Sequence, residues 1–364
     1  MRCTVFSSRS ILVGGALFFS LGLASVHADA VREPLARAAI QSRSALSSVF
    51  LDLARAGKRL VAVGARGVVL LSDDDGANWR QASVPVSVTL TRVRFAGPKT
   101  GWAVGHFGTV LHTADGGETW QRQLDGTTAA KLALEAAQAR AQAMPGSESG
   151  RKRLAEAEQL VKDGPDKPFL DLHFFDDRNG VIVGAFNLIF GTHDGGKTWL
   201  PLLDRLDNPM GLHLYAIAGM DDTVIIAGER GLVFRSDDRG ATFARLSTPY
   251  AGTYFAASLT PPGNVLLAGL RGNVLRSRDL GSTWERLEGA PPVSISAMAA
   301  VDAETTLLAN HAGQLYATRG GRLEHVRAPA LPPLAALLPL NDNKLLGVGI
   351  RGVTPVTLST NAGR

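Results

Sequence analysis

Residues 101–120 read GWAVGHFGTVLHTADGGETW and contain both motifs that determine the fold. The first motif is an apolar run that ends in Gly-x-x-Gly, here at Gly105 and Gly108. The second is Ser/Thr-x-Asp-x-Gly-x-Thr-Trp, here running from Thr113 to Trp120. Both motifs recur along the 364-residue chain, mostly 41 residues apart. A fixed period of this size is typical of a repeat architecture.

The Gly-x-x-Gly motif occurs seven times, which predicts seven repeats. Asn replaces one of the two glycines in the third and sixth copies. The copies begin and end at Gly64 and Gly67, Gly105 and Gly108, Gly184 and Asn187, Gly228 and Gly231, Gly269 and Gly272, Asn310 and Gly313, and Gly349 and Gly352.

Short apolar runs separated by turn residues predict four β-strands in each repeat. In the second repeat we expect strands over residues 90–96, 101–105 and 109–113, and a fourth from Thr119. Four strands in about 40 residues are typical of a propeller blade. We therefore predict an all-β, seven-bladed β-propeller that occupies residues 31–364.

The second motif places an aspartate in the turn between the third and fourth strands of a blade. Its carboxylate can accept backbone N–H bonds, and the following Gly supplies a positive φ. A catalytic role is the alternative, but recurrence in repeat after repeat favours a structural role. The five aspartates are Asp74, Asp115, Asp194, Asp238 and Asp279.

This second motif is the Asp box, also called the bacterial neuraminidase repeat. Coupled to Gly-x-x-Gly at this period, it resembles the photosystem II stability/assembly factor family of seven-bladed propellers over roughly residues 45–364. The resemblance implies a non-enzymatic scaffold that binds a protein and assists a membrane-protein complex. In photosynthetic organisms the family's partner is a photosystem II reaction-centre precursor, and elsewhere the resemblance implies another membrane complex.

Arginine recurs inside the Gly-x-x-Gly turn, which joins the second and third strands and faces away from the Asp boxes. The four residues are Arg66, Arg230, Arg271 and Arg351, in repeats one, four, five and seven. In a closed ring they form two neighbouring pairs. Because arginine binds carboxylates in a bidentate manner, we predict a partner-binding surface, which the family resemblance also implies. A turn that tolerates any long polar residue is the alternative.

The first 30 residues are typical of a secretory signal peptide. Arg2 and Arg9 precede an apolar run over residues 11–24, which is shorter than the roughly 20 residues of a membrane-spanning helix. Small residues at Ala28 and Ala30 mark two candidate cleavage sites. We expect an exported, periplasmic protein that is not itself transmembrane.

Two further segments carry structural predictions. The seventh repeat supplies only three strands, so residues 32–41 are expected to complete the last blade; a frayed N-terminal tail is the alternative. An insertion over residues 121–168 separates repeats two and three, with helices expected over residues 127–143 and 151–162. This helical hairpin is either a docking arm or an inert excursion.

The main enzymatic alternative is a sialidase-like glycoside hydrolase, because sialidases also contain Asp boxes. The chain has four tyrosines, and no pair of acidic residues outside the repeats stands out for two-carboxylate chemistry. Asp171, Asp176, Asp177, Asp221 and Asp222 are interpreted as solvated loop residues. The scattered histidines predict no metal site, and no cofactor-binding motif occurs.

The net charge also limits the partners. It is +5 for the whole chain and +4 without the first 30 residues, which hold two arginines and one aspartate. A mildly basic exported chain without a concentrated basic run is not expected to bind nucleic acid. We expect a monomer that binds a protein. The sequence does not identify that protein, and it does not show whether a glycan is bound.

Overall fold

The computed structural model describes residues 33–341 and 343–358. This part of the chain contains seven antiparallel sheets. Six sheets have four strands and the last has three. The prediction of a seven-bladed β-propeller is therefore confirmed. The predicted signal peptide, residues 1–30, lies outside the described residues.

The strands of the first four blades follow the order of the sequence, from the innermost to the outermost. They are β1 Phe50–Ala56, β2 Arg59–Gly64, β3 Val69–Ser72 and β4 Arg80–Gln81; β5 Leu90–Phe95, β6 Gly101–Gly105, β7 Val110–Thr113 and β8 Gln121–Leu124; β9 Phe169–Phe174, β10 Gly180–Gly184, β11 Ile189–Thr192 and β12 Leu200–Pro201; and β13 Leu214–Met220, β14 Thr223–Gly228, β15 Val233–Ser236 and β16 Ala244–Arg245.

The last three blades follow the same order. They consist of β17 Tyr254–Thr260, β18 Asn264–Gly269, β19 Val274–Ser277 and β20 Glu285–Arg286; β21 Ile295–Ala300, β22 Thr306–Asn310, β23 Leu315–Arg319 and β24 Arg322–Val326; and β25 Leu334–Asn341, β26 Lys344–Gly349 and β27 Gly352–Thr357. The innermost strand of each blade contacts that of the next, and β1 contacts β25, which closes the ring.

The apolar core lies between neighbouring blades. The buried Trp102 of blade 2 stacks on Phe174 of blade 3, with ring centroids 3.5 Å apart. At the closure, Phe50 and Leu60 of blade 1 pack in one cluster with Leu346 of blade 7. Because each blade buries its faces against two others, the ring is the unit that folds.

The first glycine of each Gly-x-x-Gly turn allows a close backbone approach within its own blade. The N–H of Ala65, which follows Gly64, donates to the carbonyl oxygen of Val49 at 2.8 Å. A Cβ on Gly64 would lie 2.1 Å from that same oxygen. The arrangement recurs at Gly105, Gly184, Gly228 and Gly269. The absence of a Cβ at this glycine thus allows a hydrogen bond between the end of the second strand and the start of the first.

The second glycine faces the connection that leads to the next blade. Gly231, for example, has a φ of +75°, and a Cβ there would lie 2.4 Å from the carbonyl oxygen of Tyr250. In blade 3 Asn187 takes this position at a φ of 62°, and its N–H donates to Leu212. The turns and the inter-blade connections therefore share one face of the ring, as the strand order predicts.

The N-terminal segment does not add a strand to the last blade, so the prediction for residues 32–41 was wrong for the described part, 33–41. Pro34 begins a short 3-10 turn, Pro34–Ala36, and a proline has no N–H to donate to a ladder. The segment lies instead on the connection between blades 1 and 2, where the N–H of Ala39 donates to Val84.

Ring closure uses the residues that follow this segment. The 3-10 turn Ala45–Ser47 contacts β27, and the carbonyl oxygen of Leu46 would lie 2.1 Å from a Cβ on Gly352. Between blades 4 and 5 the carbonyl oxygen of Tyr250 lies in the same way beside the Cα of Gly231. Residues 45–48 thus take the position of a connection between blades 7 and 1, although no peptide bond joins them to blade 7.

The insertion forms two helices, α1 Gly126–Ala143 and α2 Glu148–Asp163. Asp125 caps α1 by accepting the N–H of Thr128, and Ser147 caps α2 by accepting the N–H of Gly150. The caps explain why the helices begin one and three residues before the predicted starts. Residues 121–124, which the predicted insertion included, belong to β8.

Replacing the first glycine of a turn should destabilise the fold. In a Gly269→Ala variant the new Cβ would lie 2.0 Å from the backbone oxygen of Thr253. We expect the free energy of unfolding to fall by about 1–3 kcal/mol, because this overlap moves backbone rather than a flexible side chain. Gly97→Ala is the matched control, since a Cβ there has no neighbour within 4 Å. Equal urea denaturation midpoints for both variants would contradict the explanation.

Candidate protein-binding face

The third position of the Gly-x-x-Gly turn has an unusual backbone conformation in five blades. Its residue has a φ of 52–57°, in the left-handed region. The five residues are Arg66, Phe107, Phe186, Arg230 and Arg271. Arg351 differs, because blade 7 has a two-residue hairpin in which Gly349 pairs with Gly352.

Local folding does not require these side chains. A left-handed conformation costs a residue with a Cβ about 1–2 kcal/mol, and Gly and Asn adopt it most readily. The chain nevertheless places arginine there three times and phenylalanine twice. Strain retained at equivalent positions is a reason to infer a role outside the fold.

The four predicted arginines are exposed. Within residues 33–341 and 343–358, none of them has a carboxylate oxygen within 4 Å. The guanidinium group of Arg230 contacts a sulfur atom, with Nη1 3.9 Å from Sδ of Met210. The backbone N–H of Arg271 donates to the Ser294 hydroxyl, and its guanidinium group has no hydrogen-bond partner among these residues.

Arginines near the Asp boxes behave differently. Arg59 pairs with Asp73 at 2.6 Å and with Glu118 at 2.8 Å, and Arg235 pairs with Asp237 at 2.6 Å. The hydrogen bond from Arg59 lowers the pKa of Asp73 below its ordinary value. Arg59 and Arg235 are thus neutralised by neighbouring carboxylates, whereas the four turn guanidinium groups have no carboxylate partner among the described residues.

The topology places the four arginines in two neighbouring pairs, because β1 contacts β25 and β13 contacts β17. Sequence reasoning missed the aromatic residues at the equivalent positions of blades 2 and 3. Phe107 packs against the core between blades 1 and 2, while Phe186 is 53% exposed. Aligning the third turn position across all repeats would have revealed them.

The Asp-box aspartates accept equivalent hydrogen bonds in each of the five motifs, with the Asn78 amide replacing a threonine hydroxyl in blade 1. In blade 2, Asp115 accepts the Thr113 hydroxyl at 2.7 Å, and the N–H and hydroxyl of Thr119 at 3.0 and 2.6 Å. The Thr113 oxygen accepts the N–H of Gly117 at 2.9 Å, and Trp120 Nε1 donates to the Gly117 carbonyl. Each carboxylate is thus occupied by its own turn.

A charged cluster lies in the central channel, on the first strands of blades 1–3. Arg94 Nη1 contacts Asp52 at 2.6 Å, and Arg92 lies 3.5 Å from Asp52 and 3.3 Å from Asp171. Asp52 also accepts the N–H of Val93, in the next blade. The buried Asp171 is therefore part of an inter-blade ion-pair cluster, and its interpretation as a solvated loop residue was wrong.

The four other acidic residues are less buried than Asp171. Asp177, Asp221 and Asp222 are exposed. Asp176 accepts backbone N–H bonds from Arg178 and Asn179, as expected of a turn residue. In the channel itself, burial and the nearby Arg94 guanidinium lower the pKa of His173 to about 4, so its imidazole is neutral near pH 7.

Residues 33–341 and 343–358 contain neither a metal-binding cluster nor a membrane-spanning helix. No three His, Cys, Asp or Glu side chains gather there in a group that could hold a metal ion. No helix in this part of the chain is long and apolar enough to cross a membrane.

A family model described as photosynthesis system II assembly factor YCF48 matches residues 71–142 and 155–287, more than half of the chain. The chain belongs to the YCF48 family. Two curated relatives agree with this assignment. The photosystem II stability/assembly factor HCF136 of Cyanidioschyzon merolae is 36% identical over 89 residues, 24% of this chain and 19% of that protein. The assembly protein Ycf48 of a Synechococcus strain is 28% identical over 163 residues, 42% of this chain and 48% of that protein.

These matches cover less than half the length of either curated relative. Solved structures extend the likeness over the fold. A YCF48 bound to a D1 peptide has a TM-score of 0.61 at 18% identity, covering 89% of this chain and 97% of that one. The WD40 propeller of Doa1 also reaches 0.61, at 9% identity, with 90% and 97% covered. Likeness at this level shows the propeller fold alone.

The Asp boxes of this family member should make its stability fall in acid. Hydrogen bonds from the hydroxyl and N–H of Thr283 and from Ser277 lower the pKa of Asp279 to about 2. A carboxyl whose pKa is lower in the folded state stabilises the fold above its unfolded value, about pH 4, and this contribution is lost as the pH falls to about 2.

We therefore expect Asp279→Asn to flatten the pH dependence of the unfolding free energy between about pH 4 and pH 2. Asp177→Asn is the control, because the described residues give that exposed carboxylate no hydrogen bond. Urea titrations at several pH values measure both variants. A curve for Asp279→Asn that follows the wild type would show that this carboxylate does not contribute.

Proposed function

We propose that this chain is an exported, non-enzymatic propeller that binds a protein partner through the arginine face and assists the assembly or stability of a membrane-protein complex. The arginine face comprises Arg66, Arg230, Arg271 and Arg351. The observation that carries the proposal is that these guanidinium groups are exposed and have no carboxylate partner among the described residues. Three of them also occupy a left-handed backbone position that costs free energy.

The chemistry of the arginine face supports an anionic protein segment as the partner. A guanidinium group donates two parallel hydrogen bonds to a carboxylate, and this pairing is stronger than one between neutral groups. Several such groups on one face raise the local concentration of an acidic partner. The YCF48 of similar fold was solved bound to a D1 peptide. By analogy, the segment bound here belongs to a subunit of a membrane complex.

Export is supported by the sequence alone. Residues 1–30 combine two arginines, a short apolar run and small residues at Ala28 and Ala30. A cleaved chain would meet its membrane partner on the periplasmic side. N-terminal sequencing of the protein recovered from the periplasm would locate the cleavage site, and an intact N-terminus there would refute cleavage.

Removing two neighbouring arginines should abolish partner capture without weakening the fold. We expect Arg230→Gly with Arg271→Gly to reduce capture from solubilised membranes at least tenfold. The melting temperature should stay the same or rise, because glycine relieves the left-handed strain at both positions. Quantitative pull-down and thermal unfolding provide the two measurements.

The control is Arg278→Gln with Arg322→Gln, which removes the same charge from other exposed positions in blades 5 and 6. Arg278 faces Glu304 at 3.4 Å and so serves a local ion pair. Equal capture by the two double variants would refute the arginine face. A large fall in melting temperature for the glycine variant would refute the strain argument.

The non-enzymatic part of the proposal has its own test. The channel cluster around Asp171 is where carboxylates and arginines meet inside the ring. We expect no turnover of a panel of sialosides and oligosaccharides. Turnover that disappears in an Asp171→Asn variant that still unfolds cooperatively would replace the scaffold with a glycoside hydrolase.

A further inference from the structure

A cleft of about 810 Å³ lies between the helical hairpin and the connection from blade 3 to blade 4. We call it the hairpin cleft. One wall is formed by α1 and α2, with small side chains such as Ala136 and Ala157 beside longer ones such as Arg140 and Leu160. The other contains Phe186, Leu203 and Met210. Its volume is in the range of pockets that bind small ligands or a few side chains.

The hairpin is held across this cleft by polar contacts at its edges. Lys152 Nζ donates to the carbonyl oxygen of Pro209 at 2.8 Å, and Arg153 reaches that of Leu206 at 3.4 Å. Arg140 pairs with Asp204. These contacts join the hairpin to the connection across the cleft. Ala129 and Ala133 of α1 are buried in the core cluster of blades 2 and 3, and Leu160 of α2 packs against it. The cleft stays open beside this contact, and Ala133 and Leu160 also line it.

The apolar wall is exposed in a way that the fold does not require. Phe186 is 53% exposed and Met210 is 59% exposed, although both line the same cleft. Phe186 also takes the left-handed turn position that carries arginine in blades 1, 4 and 5. Neighbouring exposed apolar side chains in one concave site are typical of a binding surface, and methionine adapts its shape to a bound group.

The charges of the cleft indicate what the occupant carries. Three of its cations are neutralised by neighbouring carboxylates: Arg140 by Asp204, Arg153 by Glu156, and Lys167 by Asp163 and Asp166. Arg205 donates to the carbonyl oxygen of Ala241. At the edge of the cleft Arg230, 3.9 Å from Met210, has no carboxylate partner among the described residues. An occupant that complements this site is apolar inside the cleft and acidic at the Met210 edge.

We infer that the hairpin cleft receives a large apolar side chain of the partner segment, while a carboxylate one or two residues away binds Arg230. This inference rests on the proposed function, and it specifies which partner sequences the hairpin cleft selects. The spacing follows from the distance between Met210 and Arg230, because an extended chain advances about 3.3–3.6 Å per residue. The helical hairpin is then a specificity element.

A random 12-residue peptide display library, selected against the full chain without its first 30 residues, tests the inference. We expect enrichment of peptides with an aromatic residue, leucine or methionine within two positions of aspartate or glutamate. An enriched peptide should bind at least tenfold more weakly to Phe186→Asn and to Met210→Ser. Asn accepts the left-handed backbone at position 186, so the first variant is expected to fold. Fluorescence anisotropy gives the dissociation constants.

Val301→Ser is the control, since Val301 is 47% exposed and lies outside the hairpin cleft. It should leave binding unchanged. No enrichment, enrichment of apolar peptides without an acidic residue, or equal binding to Phe186→Asn, Met210→Ser and the wild type would each overturn the inference. If the arginine variants still lose capture from membranes in any of these cases, the proposed function stands and the hairpin cleft alone is refuted.

Discussion

One backbone hydrogen bond organises every blade that contains it. The residue after the first turn position donates its N–H to the carbonyl group that precedes the innermost strand. Where that position is glycine, a Cβ would overlap this carbonyl, whereas blade 6 makes the same bond from His311 after Asn310. The bond fixes where a blade starts relative to its second strand. The second turn glycine then receives the chain leaving for the next blade. Register within a blade and spacing between blades are therefore set at the same corner.

The construction of this corner explains why binding groups can vary there. The two end positions of the turn are occupied by Gly in most blades, by Asn187 at the second position in blade 3 and by Asn310 at the first position in blade 6. The position before the last turn residue carries an exposed side chain in most blades, although Phe107 packs against the core in blade 2. Arginine in some blades and phenylalanine in others make the face differ from blade to blade. It is cationic at the arginine turns and apolar around Phe186, in the hairpin cleft. A symmetric scaffold thereby presents an asymmetric surface.

The repeat period made most of the fold predictable. Strands of blade 2 were located to within two residues, and both helices of the insertion were identified from composition and spacing. The path of residues 33–41 was not predicted. The last blade lacks a fourth strand, and the apolar residues of this segment suited that place, but Pro34 begins a turn instead. The channel cluster was missed for a related reason. Asp52, Arg92 and Asp171 are 40 or more residues apart and meet only when the ring closes.

The seam between blades 7 and 1 differs from the other six junctions in its covalent structure. Residues 45–48 occupy the place of a connection, but no peptide bond joins them to β27, and within the described residues no strand is exchanged across the seam. Side-chain packing around Phe50 and Leu346 is what resists separation. Local opening of the ring therefore breaks no ladder of backbone hydrogen bonds. Amide protons next to this seam are expected to exchange with solvent through small fluctuations, while those between blades 3 and 4 report the unfolding of the whole ring.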